Sequence, residues 1–197
     1  MRLMAMVMVI MAAAARTRAA ETSVARNVTV CMNPGGDLVT VHAAEKMASQ
    51  IFAEIGVAIQ WDRMRQCPLK DAILVSLLTE TPAGQPLLTL AKAFPYEGTH
   101  IMVFFDRVKS TVKPGLVIPL LAYVLAHEIT HILEGTYSHS ETGIMKARWD
   151  IGDYFQMRRR RLRFSEEDIF LVYEGLGSRH AAAHAPAIAT TLIGGPE

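Results

Sequence analysis

This chain of 197 residues has few cysteines, few aromatic residues and almost no net charge. It has two cysteines, 7% aromatic residues and a formal net charge of +1. Two cysteines are too few for a miniprotein that depends on several disulfides. A near-neutral charge gives no general attraction to nucleic acids or anionic membranes, so neither is expected as a partner. Uncharged runs fall short of the roughly 20 residues of a membrane-spanning helix, which predicts no stable membrane insertion.

The apolar content is that of one globular domain. The chain is 51% hydrophobic and 20% charged, and a domain of this length typically buries roughly 70% of its unfolded surface. Strand-like and helix-like patterns alternate early, and helical patterns dominate later, which predicts an α+β or α/β domain with one mixed sheet. Strands are expected at residues 28–32, 57–61, 72–78, 88–94 and 100–105. Helices are expected at 38–55, at 119–134 with Gly135 just beyond, and from 165 to about 175 or 177.

The two ends of the chain differ from this domain. Arg2, the apolar run Leu3–Ala15 and the small residues that follow are typical of a secretory signal peptide over residues 1–20, cut after Ala15, Ala19 or Ala20. The alternative is a buried N-terminal helix. The sequence thus predicts a secreted or periplasmic protein with its domain at residues 21–178 and a disordered tail at 179–197. The basic run 158–163 is interpreted as a solvated segment before the last helix, with a site for an acidic partner or a processing site as the alternatives.

An even pair of cysteines in an exported protein favours a disulfide between Cys31 and Cys67. The alternative is two independent buried thiols. Neither cysteine has the spacing of a metal ligand, so we do not assign them to a metal site.

The segment 119–134 is apolar nearly all round, which predicts a buried helix, yet it contains His127, Glu128 and His131. Polar groups without hydrogen-bond partners destabilise the fold when they are buried in an apolar interior. His127 and His131 are four residues apart and so lie on one face, where two imidazoles can bind one Zn²⁺. Glu128 projects beside them and can polarise a water molecule. The alternative is two satisfied core histidines and a surface glutamate.

A catalytic zinc ion usually has three protein ligands, and His139 is our candidate for the third. It follows His131 by eight residues, just past the break at Gly135, and a chain that turns back there can bring it to the same metal. Carboxylates are the alternatives for this position: Glu134, Glu141, Asp150, Asp153, Glu166, Glu167 and Glu174.

Residues 127–145, with the sequence HEITHILEGTYSHSETGIM, resemble the zinc signature of the metzincin peptidases. That family has H-E-x-x-H-x-x-G-x-x-H followed by a methionine turn. Here the glycine comes one residue later and the third histidine two residues later. By resemblance, one catalytic zinc ion is bound by His127, His131 and His139, Glu128 is the general base, and Met145 lies in the turn beneath the metal. Ordinary core packing is the alternative for Met145.

Residues 139–145 are similar to the turn of the matrix metalloproteinases in particular, and residues 90–106 to their edge strand and the strand after it. The resemblance implies an α+β, metzincin-like catalytic domain. A mixed twisted sheet would pack with an active-site helix and a C-terminal helix. It also implies that an edge strand binds an extended peptide by main-chain pairing. The strand residues assigned to this role are Leu90, Ala91, Lys92, Ala93 and Phe94.

The function implied is a zinc-dependent endopeptidase with a peptide or protein substrate. Two kinds of alternative remain open. One is a non-catalytic or single-target effector on a zinc-peptidase scaffold. The other is a zinc-dependent hydrolase of another class, such as an endoribonuclease with three histidines, although those enzymes usually lack the glutamate after the first histidine.

Overall fold

A five-stranded sheet lies at the centre of the protein. The computed structural model describes residues 26–35, 37–68 and 71–184. The strands are β1 (Asn27–Asn33), β2 (Ala58–Arg63), β3 (Ile73–Leu78), β4 (Ala91–Ala93) and β5 (His100–Phe104). Their order in the sheet is β2-β1-β3-β5-β4. The first four positions are joined by parallel pairings, and β4 runs antiparallel to β5 at the edge. The mixed sheet of an α+β domain is therefore confirmed.

The edge strand is shorter than the sequence predicts. Residues 88–94 are expected to be extended, but β4 covers only Ala91–Ala93. Pairing continues for one residue at each end, since the Phe104 amide donates to the Leu90 carbonyl at 2.8 Å and the Phe94 amide donates to the His100 carbonyl at 2.9 Å. The chain before Leu90 forms a loop rather than strand because the guanidinium of Arg107 takes up the carbonyls of Gln85, Pro86 and Thr89.

The described residues form five α-helices beside the sheet: α1 (Leu38–Ala53), α2 (Phe105–Thr111), α3 (Val117–Glu134), α4 (Ile151–Arg158) and α5 (Glu166–His184). Helix α3 packs against α1, α5 and β4. Phe52 of α1, Val75 of β3 and Leu125 of α3 belong to one buried hydrophobic cluster, which extends from the sheet to the helices. Helices α2 and α4 are absent from the sequence predictions. The Asp150 carboxylate begins α4 by a capping box with Asp153.

Helix α3 agrees with its prediction. Every residue from Leu120 to Leu133 is buried. Gly135 ends the helix in the left-handed conformation at φ 68°, with its amide bonded to the His131 carbonyl. By length and composition the segment Pro114–Glu134 is apolar enough to cross a membrane. However, 78% of its most apolar 18-residue stretch is buried inside the protein. Core helices of globular domains meet the same composition test, so this helix does not by itself indicate a membrane protein.

The arginines of the basic run 158–163 are exposed, but the run is attached to the rest of the domain. Arg160 donates to the Gln50 side chain of α1 at 2.7 Å, and Arg163 forms a 3.0 Å ion pair with Glu54. Between them Leu162 is buried, and its carbonyl accepts the hydroxyl of Tyr123 from α3 at 3.3 Å. The arginines are exposed, as the interpretation as a solvated segment expects, but Arg160 and Arg163 also attach the run to α1.

Helix α5 continues past the glycines at which it was expected to end. It extends to His184, so residues 179–184, which the sequence assigns to a tail, are helical. Gly175 serves close packing instead, because a Cβ atom there would meet the Leu133 carbonyl oxygen at 1.7 Å. The rest of the tail and the signal peptide lie outside the described residues, and both stay predictions.

The predicted disulfide between Cys31 and Cys67 is confirmed. Cys31 is buried in β1, Cys67 follows a short 3₁₀ turn after β2, and their Cα atoms lie 5.7 Å apart. The bond therefore ties the internal strand β1 to the chain that leaves the neighbouring edge strand β2.

Replacing both cysteines by alanine is expected to lower the free energy of unfolding by about 3–4 kcal/mol, because the bond closes a loop of 36 residues and restricts the unfolded chain. Urea denaturation of the Cys31→Ala/Cys67→Ala variant beside the wild type measures this. Wild type unfolded with a reductant is the control and should match the variant. An unchanged midpoint would show that the crosslink contributes no stability.

Candidate active site

Two histidines of α3 meet at one point in the structure. His127 and His131 lie one helical turn apart, and their Nε2 atoms are 3.0 Å from each other. Their rings are nearly perpendicular, with centroids 4.7 Å apart. Tetrahedral zinc with nitrogen ligands at 2.0–2.1 Å separates two such atoms by about 3.3 Å. The pair is therefore spaced as two ligands of one zinc ion.

Backbone carbonyls orient both rings. The Nδ1 atom of His127 bonds the Ile144 carbonyl at 2.8 Å, and Nδ1 of His131 bonds the Thr136 carbonyl at 2.9 Å. A carbonyl only accepts, so each Nδ1 carries the proton and each Nε2 keeps a lone pair. Such partners are typical of metal-binding histidines, whose tautomer and orientation they fix.

His139 joins this pair from the loop after α3. The chain reverses at Gly135, and Thr136 then bonds Ser138 through its hydroxyl. The His139 ring lies 5.3 Å from the His127 ring and 4.9 Å from the His131 ring, centroid to centroid. One ligand atom of each histidine lies within 4.8 Å of the others. The three donors therefore fit a zinc ion with an open fourth position.

The environment keeps these imidazoles neutral. Burial, reinforced by the charge of His131, lowers the pKa of His127 to about 3. Burial and His139 lower the pKa of His131 to about 4. Burial also lowers the pKa of His139. At neutral pH all three rings thus have the uncharged form that binds a metal.

Glu128 lies between the histidines and the edge strand, and its side chain is buried. Burial raises the pKa of its carboxyl group to about 8, and a hydrogen bond from the backbone amide of Ala93 opposes this rise. A carboxyl group in such surroundings can take up a proton near neutral pH, as a general base requires. The bond to Ala93 also connects Glu128 directly to β4.

Met145 lies in a closed turn against His127. The Ser140 amide donates to the Met145 carbonyl at 2.9 Å, and the preceding residue, Ile144, supplies the carbonyl that orients His127. The Met145 side chain is buried in the hydrophobic cluster of the core. The turn therefore lies beside His127, and the burial of Met145 fits the core-packing alternative. Its role beneath a metal ion stays a prediction.

The three histidines and Glu128 line a cleft of about 790 Å³. One wall is the chain from Pro86 to Ala93, and the other is formed by residues 146–149 and Tyr154. Of the five residues predicted to bind substrate, Leu90, Ala91, Lys92 and Ala93 line this cleft, whereas Phe94 does not line it.

The backbone of β4 is available on its cleft side. Leu90 and Phe94 bond β5, and Lys92 is opposite Met102. Since bonded pairs alternate in antiparallel sheets, the amides and carbonyls of Ala91 and Ala93 point away from β5. The Ala93 amide bonds Glu128. The remaining outward groups are those that a further antiparallel strand would pair with.

Sequence reasoning missed the second wall of the cleft. Trp149 packs edge to face on His127 with centroids 5.4 Å apart. Its buried indole N–H has no partner among the described residues. The ring centroids of Tyr137 and His131 lie 6.4 Å apart. The available signal was the position of Trp149, four residues after Met145 in a segment already assigned to the site.

Two of the carboxylate alternatives, and two further histidines, have partners outside the site. Asp150 and Asp153 both bond Lys146 at 2.7 Å. His42 bonds Glu45, and His100 bonds Glu97. Within residues 26–35, 37–68 and 71–184, His127, His131 and His139 form the one group of three or more ligands that could share a metal ion.

The five-stranded mixed sheet with its helices is similar in fold to a metzincin-type structure. The solved structures that resemble this chain include the crystal structure of archaemetzincin from Methanopyrus kandleri. It is 15% identical in sequence and superimposes with a TM-score of 0.50, over 77% of this chain and 95% of that one. No protein-family model and no curated protein matches the sequence. The likeness is therefore one of fold.

Proposed function

We propose that this protein is an exported zinc-dependent endopeptidase acting on peptides or proteins. The observation that carries the proposal is the convergence of His127, His131 and His139 beside the buried carboxyl group of Glu128. The metzincin-type fold supports it. Export is supported by the signal-like residues 1–20 and by the disulfide, a bond that persists in oxidising compartments.

The three neutral imidazoles would bind one zinc ion, His127 and His131 through Nε2 and His139 through a ring nitrogen. A bound zinc ion supplies Lewis acidity, which polarises a carbonyl group and makes a water molecule more acidic. The carbonyls of Ile144 and Thr136 hold two of the rings, so the ligands need little rearrangement on binding. His139, the exposed member of the group, would complete the site from the loop.

Glu128 would act as the general base and acid. Its raised pKa allows it to take the proton of the attacking water and return it to the leaving amine. The Ala93 amide holds its carboxylate beside the strand along which the peptide would lie. This contact would couple substrate position to proton transfer.

The peptide would lie extended along β4. The outward carbonyl and amide of Ala91 and the outward carbonyl of Ala93 would pair with its main chain. A peptide at this edge would pass beside Glu128 and the three histidines, since all of them line the same cleft. The buried carboxyl group also counts against a non-catalytic scaffold, because a binding module gains nothing from the cost of burying it.

The metal arm of the test is zinc content. Wild type is expected to bind one zinc ion per molecule, and His139→Ala should bind it much more weakly, because only two ligands remain. His42→Ala is the matched control, since its side chain is exposed and bonds Glu45. Dialysis followed by elemental analysis measures all three. Undiminished binding by His139→Ala would move the third ligand to another residue.

The activity arm uses an unfolded protein and a peptide library. Zinc-loaded protein is expected to cleave internal peptide bonds, to lose activity with a chelator and to regain it with added zinc. Cleavage of one partner alone would favour a single-target effector instead. Stoichiometric zinc with no cleavage of any peptide or protein would overturn the peptidase proposal.

A further inference from the structure

The charges that line the cleft are nearly all positive. Lys92, Arg107, Lys146 and Arg148 line it, and Glu128 is the sole carboxylic acid among the described residues that do so. Glu128 is buried and bonded to Ala93, so it offers little negative charge to a ligand at the rim. The chain as a whole shows no such imbalance, since it has 20 basic and 19 acidic residues.

One of these cations is already neutralised. The Lys146 ammonium bonds both Asp150 and Asp153, and neither aspartate lines the cleft. The three side chains together carry a formal charge of −1, and of the three residues only Lys146 lines the cleft. It gives a ligand in the cleft no free cation.

The other three cations have no carboxylate partner among the described residues. Arg107 uses its guanidinium to hold three backbone carbonyls of the loop before β4. Lys92 is exposed on β4, with its ammonium 4.8 Å from the centroid of the Phe94 ring. Arg148 is exposed on the opposite wall. All three residues line the cleft, so it carries three positive charges that no carboxylate of the described residues neutralises.

The positions of Lys92 and Arg148 place a cation on each side of any bound strand. Lys92 belongs to the edge strand, while Arg148 follows the turn at Met145 and precedes Trp149, whose ring packs on His127. A segment that lies between these walls passes both cations within a few residues. A zinc ion held by three neutral imidazoles would add to the positive field, since its ligands do not offset its charge.

We propose that this cleft selects acidic peptides, with aspartate or glutamate side chains on both sides of the bond that lies at the histidines. The inference rests on the proposed function and names its substrate class. Each exposed pair contributes modestly, so two pairs together are expected to favour an acidic peptide by about 5–20-fold in kcat/KM over the matched neutral one. The preference should weaken with salt, because the screening length falls from about 30 Å at 0.01 M to about 3 Å at 1 M ionic strength.

The test uses zinc-loaded protein and three peptides that differ only in the residues flanking the cleaved bond: glutamate, glutamine or lysine. The glutamate peptide is expected to be cleaved fastest and the lysine peptide slowest at low ionic strength. Lys92→Glu and Arg148→Glu should each reduce or reverse the ranking. Lys46→Glu is the matched control, because Lys46 is exposed on α1 and does not line the cleft.

Equal cleavage of the three peptides, or a ranking that survives both charge reversals, would overturn the acidic preference while leaving the peptidase intact. A binding measurement separates the two proposals. Fluorescence anisotropy with the zinc-loaded Glu128→Gln variant reports affinity for the same peptides without turnover. Selective binding of the glutamate peptide, with no cleavage by wild type, would reject the peptidase and uphold the charge selection.

Discussion

Replacing Glu128 by glutamine is expected to lower kcat/KM by about 10²–10⁴-fold, the usual contribution of a general acid–base group. Glutamine keeps the shape of the side chain and can still bond the Ala93 amide, but it cannot accept the proton of an attacking water. Zinc content should not change, because the three imidazoles remain. Steady-state hydrolysis of a fluorogenic peptide, with zinc measured on the same samples, tests both statements.

Glu141→Gln is the matched control for this variant. Glu141 is an exposed carboxylate two residues after His139, and it lies outside the group of three histidines. We expect it to retain wild-type activity and zinc. If Glu128→Gln retained full activity, Glu128 would have no catalytic role. If it lost zinc together with activity, the defect would lie in the metal site.

The histidine helix could be predicted from the sequence because its signals are local. An apolar run with Gly135 beyond it specifies where α3 ends, and a spacing of four residues places His127 and His131 on one face. His139 was harder, since its spacing departs from the family pattern. Here Gly135 in the left-handed conformation and the bonded turn from Thr136 to Ser138 accommodate the two additional residues.

The parts that could not be predicted depend on contacts between distant segments. The edge strand stops short because Arg107, about twenty residues away, takes the carbonyls that a longer strand would present. Trp149 contributes to the site only because the turn at Met145 folds back beneath His127. The periodicity of apolar residues predicts neither contact, because a contact between distant segments produces no repeating pattern in the sequence.

Gly175→Ala is the second variant with a large expected effect. A Cβ atom at this position would lie 1.7 Å from the Leu133 carbonyl oxygen and 2.7 Å from its carbon. These are backbone atoms in the last turn of α3, so relief requires the two helices to separate. We expect a loss of about 3 kcal/mol or more in the free energy of unfolding, and a melting temperature lower by roughly 6–12 °C. Thermal unfolding followed by circular dichroism measures this.

Gly177→Ala shows whether the effect comes from packing or from helix propensity. Gly177 lies two residues further along α5, and an added Cβ there would meet nothing within 4 Å. Because alanine favours a helix over glycine by up to about 1 kcal/mol, this variant should be as stable as the wild type or slightly more stable.

Gly175→Ala should also bind zinc more weakly, since Leu133 lies in the same helical turn as His131. Equal melting temperatures for the two variants would mean that α5 does not restrain the end of α3, and that the ligand helix keeps its position without it.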